Sequence, residues 1–301
     1  MPIRDLFLRD LGRKIEGVVK VYDQGALAQE IREFVLTDWT EEKLKSILDS
    51  FTESLDARRK RAQPMDDMGV WISGFFGSGK SHFAKLVGYL LQNQVADPQT
   101  GETAMDLFEK HLHDGRYVRD IKRRLGEIRL YTSVKTVAFE IKSKQTLNNP
   151  NSIAEILLSA FYESLGYSDA IYLARIEKRL DARGRYGDFK GEYARLFGQP
   201  WEEGRREHEF NRHRIAKTMA AIGLYDSEAE AAEGIKDAYR LERITAESVA
   251  QELVEWVDSQ PAPAGGQAHL LFVVDEMGQF IGDDRNKIEE LRALVEQLGN
   301  Q

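Results

Sequence analysis

Val70-Trp71-Ile72-Ser73-Gly74-Phe75-Phe76-Gly77-Ser78-Gly79-Lys80-Ser81-His82-Phe83 is the stretch on which the fold turns. Gly74, Gly79, Lys80 and Ser81 fit the spacing of a phosphate-binding loop: glycine, four residues, glycine, lysine, then serine or threonine. Glycines let the backbone take positive φ and bring amide N–H groups up to phosphate oxygens, where a Cβ would obstruct. Lys80 supplies a charge for the β- and γ-phosphates, and the Ser81 hydroxyl a ligand for Mg²⁺. The expected nucleotide contacts are Gly74, Phe75, Phe76, Gly77, Ser78, Gly79, Lys80, Ser81 and His82.

The flanks fit the motif. Met68 to Ser73 is a short apolar run that reads as a buried parallel strand. Phe83, Leu86, Val87, Leu90 and Leu91 fall on one face of a helix that starts near Gly79. Strand, glycine loop and helix follow in that order, so the positive end of the helix meets the phosphate.

A second motif lies near the far end. His269-Leu270-Leu271-Phe272-Val273-Val274-Asp275-Glu276 is an apolar run ending in two acids, the shape of a Walker B strand. A parallel strand of this kind carries Asp275 to its carboxyl end, where ligands bind in open α/β sheets. Asp275 is expected to hold Mg²⁺, and Glu276 to polarise the attacking water. Glu276 and Lys80 are the catalytic candidates, with Ser81 and Asp275 for the metal.

The rest of the chain is read outward from these motifs. Residues 1–63 form a mainly helical extension, with a short helix from Arg4, a strand at Val18 to Tyr22, a helix from Ala26 to Leu36 and another capped by Thr40. Residues 64–150 begin the nucleotide-binding core, including helices at Ala104 to His113 and Tyr117 to Leu125. Val134 to Ile141 is a second strand. Asn151 or Ser152 caps a helix over Ile153 to Leu165. Residues 151–260 read as a helical insertion, with helices around Ile171 to Leu180, Arg206 to Ile222, Ser227 to Tyr239 and Ala246 to Ser259, and a turn region from Gly184 to Gly191. Residues 261–301 return to the core with the Walker B strand and a helix over Lys287 to Leu298.

The opening Ile3-Arg4-Asp5-Leu6-Phe7, the stretch Ile15 to Val21, Glu33-Phe34-Val35-Leu36-Thr37 and the particular Gly-Phe-Phe-Gly-Ser-Gly-Lys-Ser-His-Phe from Gly74 to Phe83 resemble the amino-terminal part of the BrxC family. Met277 to Asn286 looks like the same family. These are large P-loop proteins of bacteriophage-exclusion (BREX) defence, similar to the PglY protein of phage growth limitation. The resemblance implies ATP hydrolysis coupled to conformational change in a larger complex. Its implied partners are a DNA methyltransferase and an alkaline-phosphatase-like protein, with phage DNA as the ultimate target.

The Asp275-Glu276 pair points to an α/β P-loop NTPase of the additional-strand, AAA+-like division. That architecture places a further strand with a polar sensor between the loop strand and the Walker B strand. After Glu276 the sequence offers only a helix, so the expectation is a truncated portion of a longer protein, its sheet incomplete and its own hydrolysis weak. A nucleotide-responsive scaffold that binds ATP with little turnover is the alternative. The lack of a clear Asn-Lys-x-Asp motif argues against guanine specificity; Asp284-Arg285-Asn286-Lys287 does not supply that order.

Composition narrows the remaining classes. The 301 residues are 42% hydrophobic and 31% charged, with no cysteine and a formal charge of −8. Disulfides and thiolate metal sites are excluded, and a cytoplasmic protein without membrane spans is expected. The overall charge gives no attraction to nucleic acid. Basic runs at Arg58-Arg59-Lys60-Arg61, Lys122-Arg123-Arg124 and Arg205-Arg206 read as solvated helix faces and leave DNA contact open, as the sequence does self-association. His208 and His213 imitate a zinc-protease pair, but five residues on a helix set them about 140° apart, so they do not converge on a metal. Gln279 is a candidate γ-phosphate sensor or turn cap. Arg285 is the kind of residue that serves as an arginine finger.

Overall fold

The computed structural model describes residues 27–59, 69–75, 77–113, 115–145, 152–240 and 244–300. The expected helix from Arg4, the strand at Val18 to Tyr22, Phe76, and Met68 at the start of the loop strand lie outside the described residues.

The first half is a helical layer leading into one long strand. Helices α1 (Leu27–Glu33) and α2 (Asp38–Arg59) precede the loop, and α3 (Lys80–Gln92) follows it. Thr37, not Thr40, opens α2: the Thr40 amide donates to Thr37 Oγ1 at 3.2 Å and the Thr37 amide to Thr40 Oγ1 at 2.8 Å. A small antiparallel hairpin, β1 (Val95–Asp97) and β2 (Glu102–Thr103), turns through Pro98 to Gly101. Then come α4 (Ala104–His111), opened by a Thr103–Asp106 capping box, and α5 (Val118–Tyr131), which runs directly into β3 (Thr132–Glu140).

The second half begins with α6 (Ile153–Ser164), opened by Ser152, whose Oγ accepts from the Glu155 amide at 3.2 Å. It continues through α7 (Ile171–Ala182), α8 (Tyr186–Phe197), α9 (Trp201–Gly204), α10 (Arg212–Ala221), α11 (Glu228–Arg240) and α12 (Ala246–Asp258). It closes with β4 (Gln267–Asp275), α13 (Met277–Ile281) and α14 (Arg285–Asn300). Two local expectations change here. The turn at Gly184 to Gly191 shrinks to residues 183–185, because burial of Phe189 and Tyr193 holds α8 helical despite Gly187 and Gly191. The helix expected from Arg206 begins only at Arg212, after a single 3₁₀ turn at Arg205–Glu207.

Strands β3 and β4 pair in parallel and in unbroken register from Thr132 opposite Gln267 to Glu140 opposite Asp275. Alternation sorts their side chains onto two faces. Val134, Leu271 and the close neighbours of Gly88, Thr136 and Val273, lie on the side of α3; Val137, Phe139, Leu270, Phe272 and Val274 lie on the side of α6, α12 and α14. Helix α3 comes so near the sheet that a Cβ at Gly88 would lie 3.2 Å from Thr136 Cγ2 and 3.3 Å from Val273 Cγ2. The free edge of β3 is closed by a side chain, the Thr136 amide donating to Gln92 Oε1 at 2.8 Å.

The loop strand expected at Met68 to Ser73 is corrected. Residues 69–75 are irregular, and Val70 and Trp71 are 62% and 61% exposed. An extended segment becomes a strand only when a neighbour supplies its ladder hydrogen bonds, and no described strand lies beside this one. The described structure is therefore mainly helical with a small parallel sheet.

The helical insertion also redistributes. Helices α6 and α12 pack in the same core as β3, β4, α13 and α14, whereas α7 to α11 form a core of their own around Leu173, Phe189, Tyr193, Trp201 and Ile215. The ends of the 151–260 excursion thus cover the sheet, and only its middle stands apart. No helix among the described residues is long and apolar enough to cross a membrane.

Candidate functional site

The glycine loop bends back on itself immediately before α3. Gly77 and Gly79 have φ of 77° and 84°, a left-handed backbone that side chains disfavour, and Gly79 heads α3 without a side-chain cap. The Ser78 amide donates to the Phe75 carbonyl at 3.2 Å. Lys80 folds into the loop, its Nζ donating to the same Phe75 carbonyl at 2.8 Å. Gly74 lies under this curl: a Cβ there would stand 2.9 Å from Ser78 Oγ and 3.6 Å from Lys80 Cδ. The result is an exposed ring of backbone with an ammonium group held inside it.

Helix α3 anchors that ring through a polar contact the sequence reading missed. Lys85 Nζ donates to Glu30 Oε1 at 2.8 Å, and Tyr89 OH to Glu30 Oε2 at 2.9 Å; the Lys85 side chain is 1% exposed. His82 Nε2 lies 3.0 Å from the Glu30 carbonyl, and its ring meets Phe34 edge to face at 5.0 Å. The His82 side chain therefore engages the α1 side rather than the curl of the loop. A charged Lys85 inside the apolar stripe of Phe83, Leu86 and Leu90 was the available signal, and Glu30 between Leu27 and Ile31 its counterpart.

The two acids stand where β4 ends. Glu276 takes φ 61°, ψ 13°, and its amide donates to Asp275 Oδ1 at 2.9 Å. Among the described residues only Asn93 shares a positive φ without being glycine, and Asn93 is the C-cap of α3, a normal left-handed position. Glu276 has no such excuse, and non-glycine backbone of this kind collects at working sites. Register sets Glu140 opposite Asp275, a carboxylate the sequence did not single out.

One contact ties the motifs together. A Cβ at Gly278, two residues past Glu276, would come 3.5 Å from Trp71 Cζ2, so the segment entering the loop touches the first turn of α13, just past β4. Gln279, the sensor candidate, accepts from Lys142 Nζ at 3.0 Å. Arg285 is exposed at the start of α14, which Asp284 opens, its Oδ1 accepting from the Asn286 amide at 3.0 Å.

Hard oxygen donors at Ser81 and Asp275 suit Mg²⁺, and the unobstructed loop suits phosphate. No cluster of three or more His, Cys, Asp or Glu that could hold a metal occurs among the described residues. His208 is occupied otherwise, its Nδ1 2.7 Å from Tyr172 OH, and burial lowers its pKa from the ordinary imidazole range. His213 is exposed. No protein-family model matches the chain, and no solved structure matches it.

Proposed function

We propose that this chain binds Mg-ATP through residues 74–81. The observation that carries the reading is the left-handed glycine curl around Lys80, at the head of a buried helix. In it the ammonium rests on a carbonyl that a phosphate oxygen can replace. Backbone amides of the loop, with that of Ser78 released from the Phe75 carbonyl, are the proposed phosphate contacts, Lys80 meets the outer phosphates, and Ser81 and Asp275 hold the metal. Bound Mg²⁺ would neutralise phosphate charge. Glu276, at the sharp end of β4, accepts a proton from water in hydrolysis to ADP and phosphate.

We read the fold more finely as a P-loop NTPase of the additional-strand division, and the protein as a BrxC-like ATPase acting in defence against phage. The other BREX components, a methyltransferase and a phosphatase-like protein, are then its proposed partners and the cytoplasm its compartment. The motif resemblance supports this, together with the parallel β3–β4 pair that ends in Asp275.

Titration with a fluorescent adenine nucleotide tests the binding. Saturation is expected with Mg²⁺ and weakens roughly ten-fold or more, about 1.4 kcal/mol, in Lys80→Ala. A curve unchanged by Lys80→Ala or by removal of Mg²⁺ refutes it. A second reading, an ATP-binding scaffold with little turnover, is favoured by the irregular 69–75 segment, which is not held beside β4 by strand pairing. Single-turnover hydrolysis with Glu276→Gln separates the two: loss of turnover with retained ATP makes Glu276 catalytic, and equal rates favour the scaffold.

A further inference from the structure

The segment between α9 and α10 forms a surface that the nucleotide site does not use. Phe210 is 83% exposed, immediately before the Asn211 that heads α10. Arg206, His213 and Lys217 are exposed too, the last two one turn apart on the same helix. Arg212, two residues after Phe210, packs against two rings. Tyr172 and Tyr239 meet edge to face at 5.3 Å, and the Arg212 guanidinium lies 4.4 Å from the centre of Tyr239 and 5.9 Å from that of Tyr172. Arg212 Nε is buried with no hydrogen-bond partner.

Three other arginines of the basic runs are paired within the fold. Arg124 pairs with Asp49 at 2.7 Å and Glu127 at 3.0 Å, Arg123 with Asp120 at 3.3 Å, and Arg205 donates to the Gly166 carbonyl at 2.7 Å. From Arg206 to Lys217 the sequence sets Arg206, Arg212, Arg214 and Lys217 against Glu207 and Glu209, in a chain whose formal charge is −8. Asp169 and Glu177 also act on His208 from outside the segment, and the Arg214 guanidinium lies 5.2 Å from the centre of the Phe197 ring. Glu207 is in part engaged by Asn211 Nδ2 at 3.5 Å.

A flat apolar ring presented to water among cations matches a polyanion that has flat apolar faces of its own. Duplex nucleic acid hides its base faces, and an acidic peptide offers few rings. We propose that Phe210, with Arg206, His213 and Lys217, forms a contact surface for single-stranded nucleic acid, one base stacking on Phe210 while backbone phosphates meet the cations. The site is independent of the glycine loop, so Lys80→Ala leaves it intact.

The test is fluorescence anisotropy of the full chain with a labelled oligothymidylate of about 20 nucleotides, at roughly 50 and 200 mM salt. Saturable binding that weakens with salt is expected. Phe210→Ala should weaken it about five-fold or more with the salt slope unchanged, and Phe210→Tyr should restore it, which separates a lost ring from a lost fold. Arg206→Gln combined with Lys217→Gln should reduce the slope of log K against log salt by about 1.4. Absence of saturation, a Phe210→Ala curve equal to wild type, a Phe210→Tyr variant as weak as the alanine, or equally tight binding of a blunt duplex overturns the proposal.

Discussion

Donors converge on one point in two parts of this molecule, and the two are built oppositely. In the α7 to α11 core the point is Glu177, fully buried, whose Oε1 accepts from Trp201 Nε1 at 2.6 Å, Tyr186 OH at 2.8 Å and Arg205 Nη1 at 3.4 Å, while Oε2 takes the Ser168 amide. In the glycine loop the donors are backbone amides and Lys80, the side chains lie at the surface, and Phe75 is 91% exposed. The first set carries its own anion and is closed by packing. The second is open, and its lysine holds a neutral carbonyl that can be exchanged. The comparison teaches that convergence of donors does not by itself mark a site: at Glu177 close packing and an internal carboxylate leave nothing for a ligand to meet.

The sharpest way to break the contrast is to remove the internal anion. Glu177→Ala leaves an indole N–H, a phenol and an amide buried without their acceptor, while Arg205 keeps the Gly166 carbonyl, and is expected to cost about 4 kcal/mol or more. Urea titration followed by far-UV circular dichroism and by Trp201 emission should show the α7 to α11 core lost first. An unchanged midpoint would mean that solvent reaches these donors.

Next in size is the clamp behind the loop. Lys85→Ala strands Glu30 beside Tyr89 and is expected to cost about 3 kcal/mol in the same assay, with much of the loss recovered by pairing Lys85→Met with Glu30→Leu. A double variant no better than the single one would make the ion pair itself the stabilising element. Gly88→Ala drives a methyl group toward Thr136 and Val273 and is expected to cost about 1–2 kcal/mol, read as a lower thermal midpoint.

Lys80→Ala should behave unlike all three, changing stability by less than about 0.5 kcal/mol while weakening the proposed nucleotide binding roughly ten-fold or more. A large loss of stability would move the loop into the structural class that Glu177 defines. The smallest effect is a pH dependence in the helical core. Burial lowers the folded pKa of His208 below its unfolded value of 6.5, so the unfolded chain takes up the proton first as pH falls. Stability is then full above pH 6.5 and declines below it until the folded histidine also titrates. His208→Gln should flatten that decline in urea midpoints measured across the range.

Much of the local structure was legible in residue order. Periodicity located α3, α6, α7 and α12 to within a few residues, because each buries a continuous apolar stripe that only a 3.6-residue repeat produces. The β-branched run before Ile141 and the apolar run before Asp275 located β3 and β4 in the same way. The misses have physical causes. Gly187 and Gly191 read as a turn because propensity is local, whereas the burial of Phe189 and Tyr193 that overrides it comes from α9 and α10. Met68 to Ser73 read as a strand because its composition is apolar, but a strand needs a neighbour.

Composition and spacing by themselves determined the glycine loop, its lysine and hydroxyl, the paired acids and the helical character of the middle of the chain, since each depends on residues near one another in sequence. Tertiary structure alone decided that α6 and α12 cover the sheet, that Trp71 meets α13 at Gly278, that Glu276 sits in a left-handed backbone, and that Lys85 and Glu177 find buried partners. Those contacts join residues as far apart as 30 and 85 or 71 and 278. A side chain's partner across such a separation is set by how whole layers pack, not by the residues beside it.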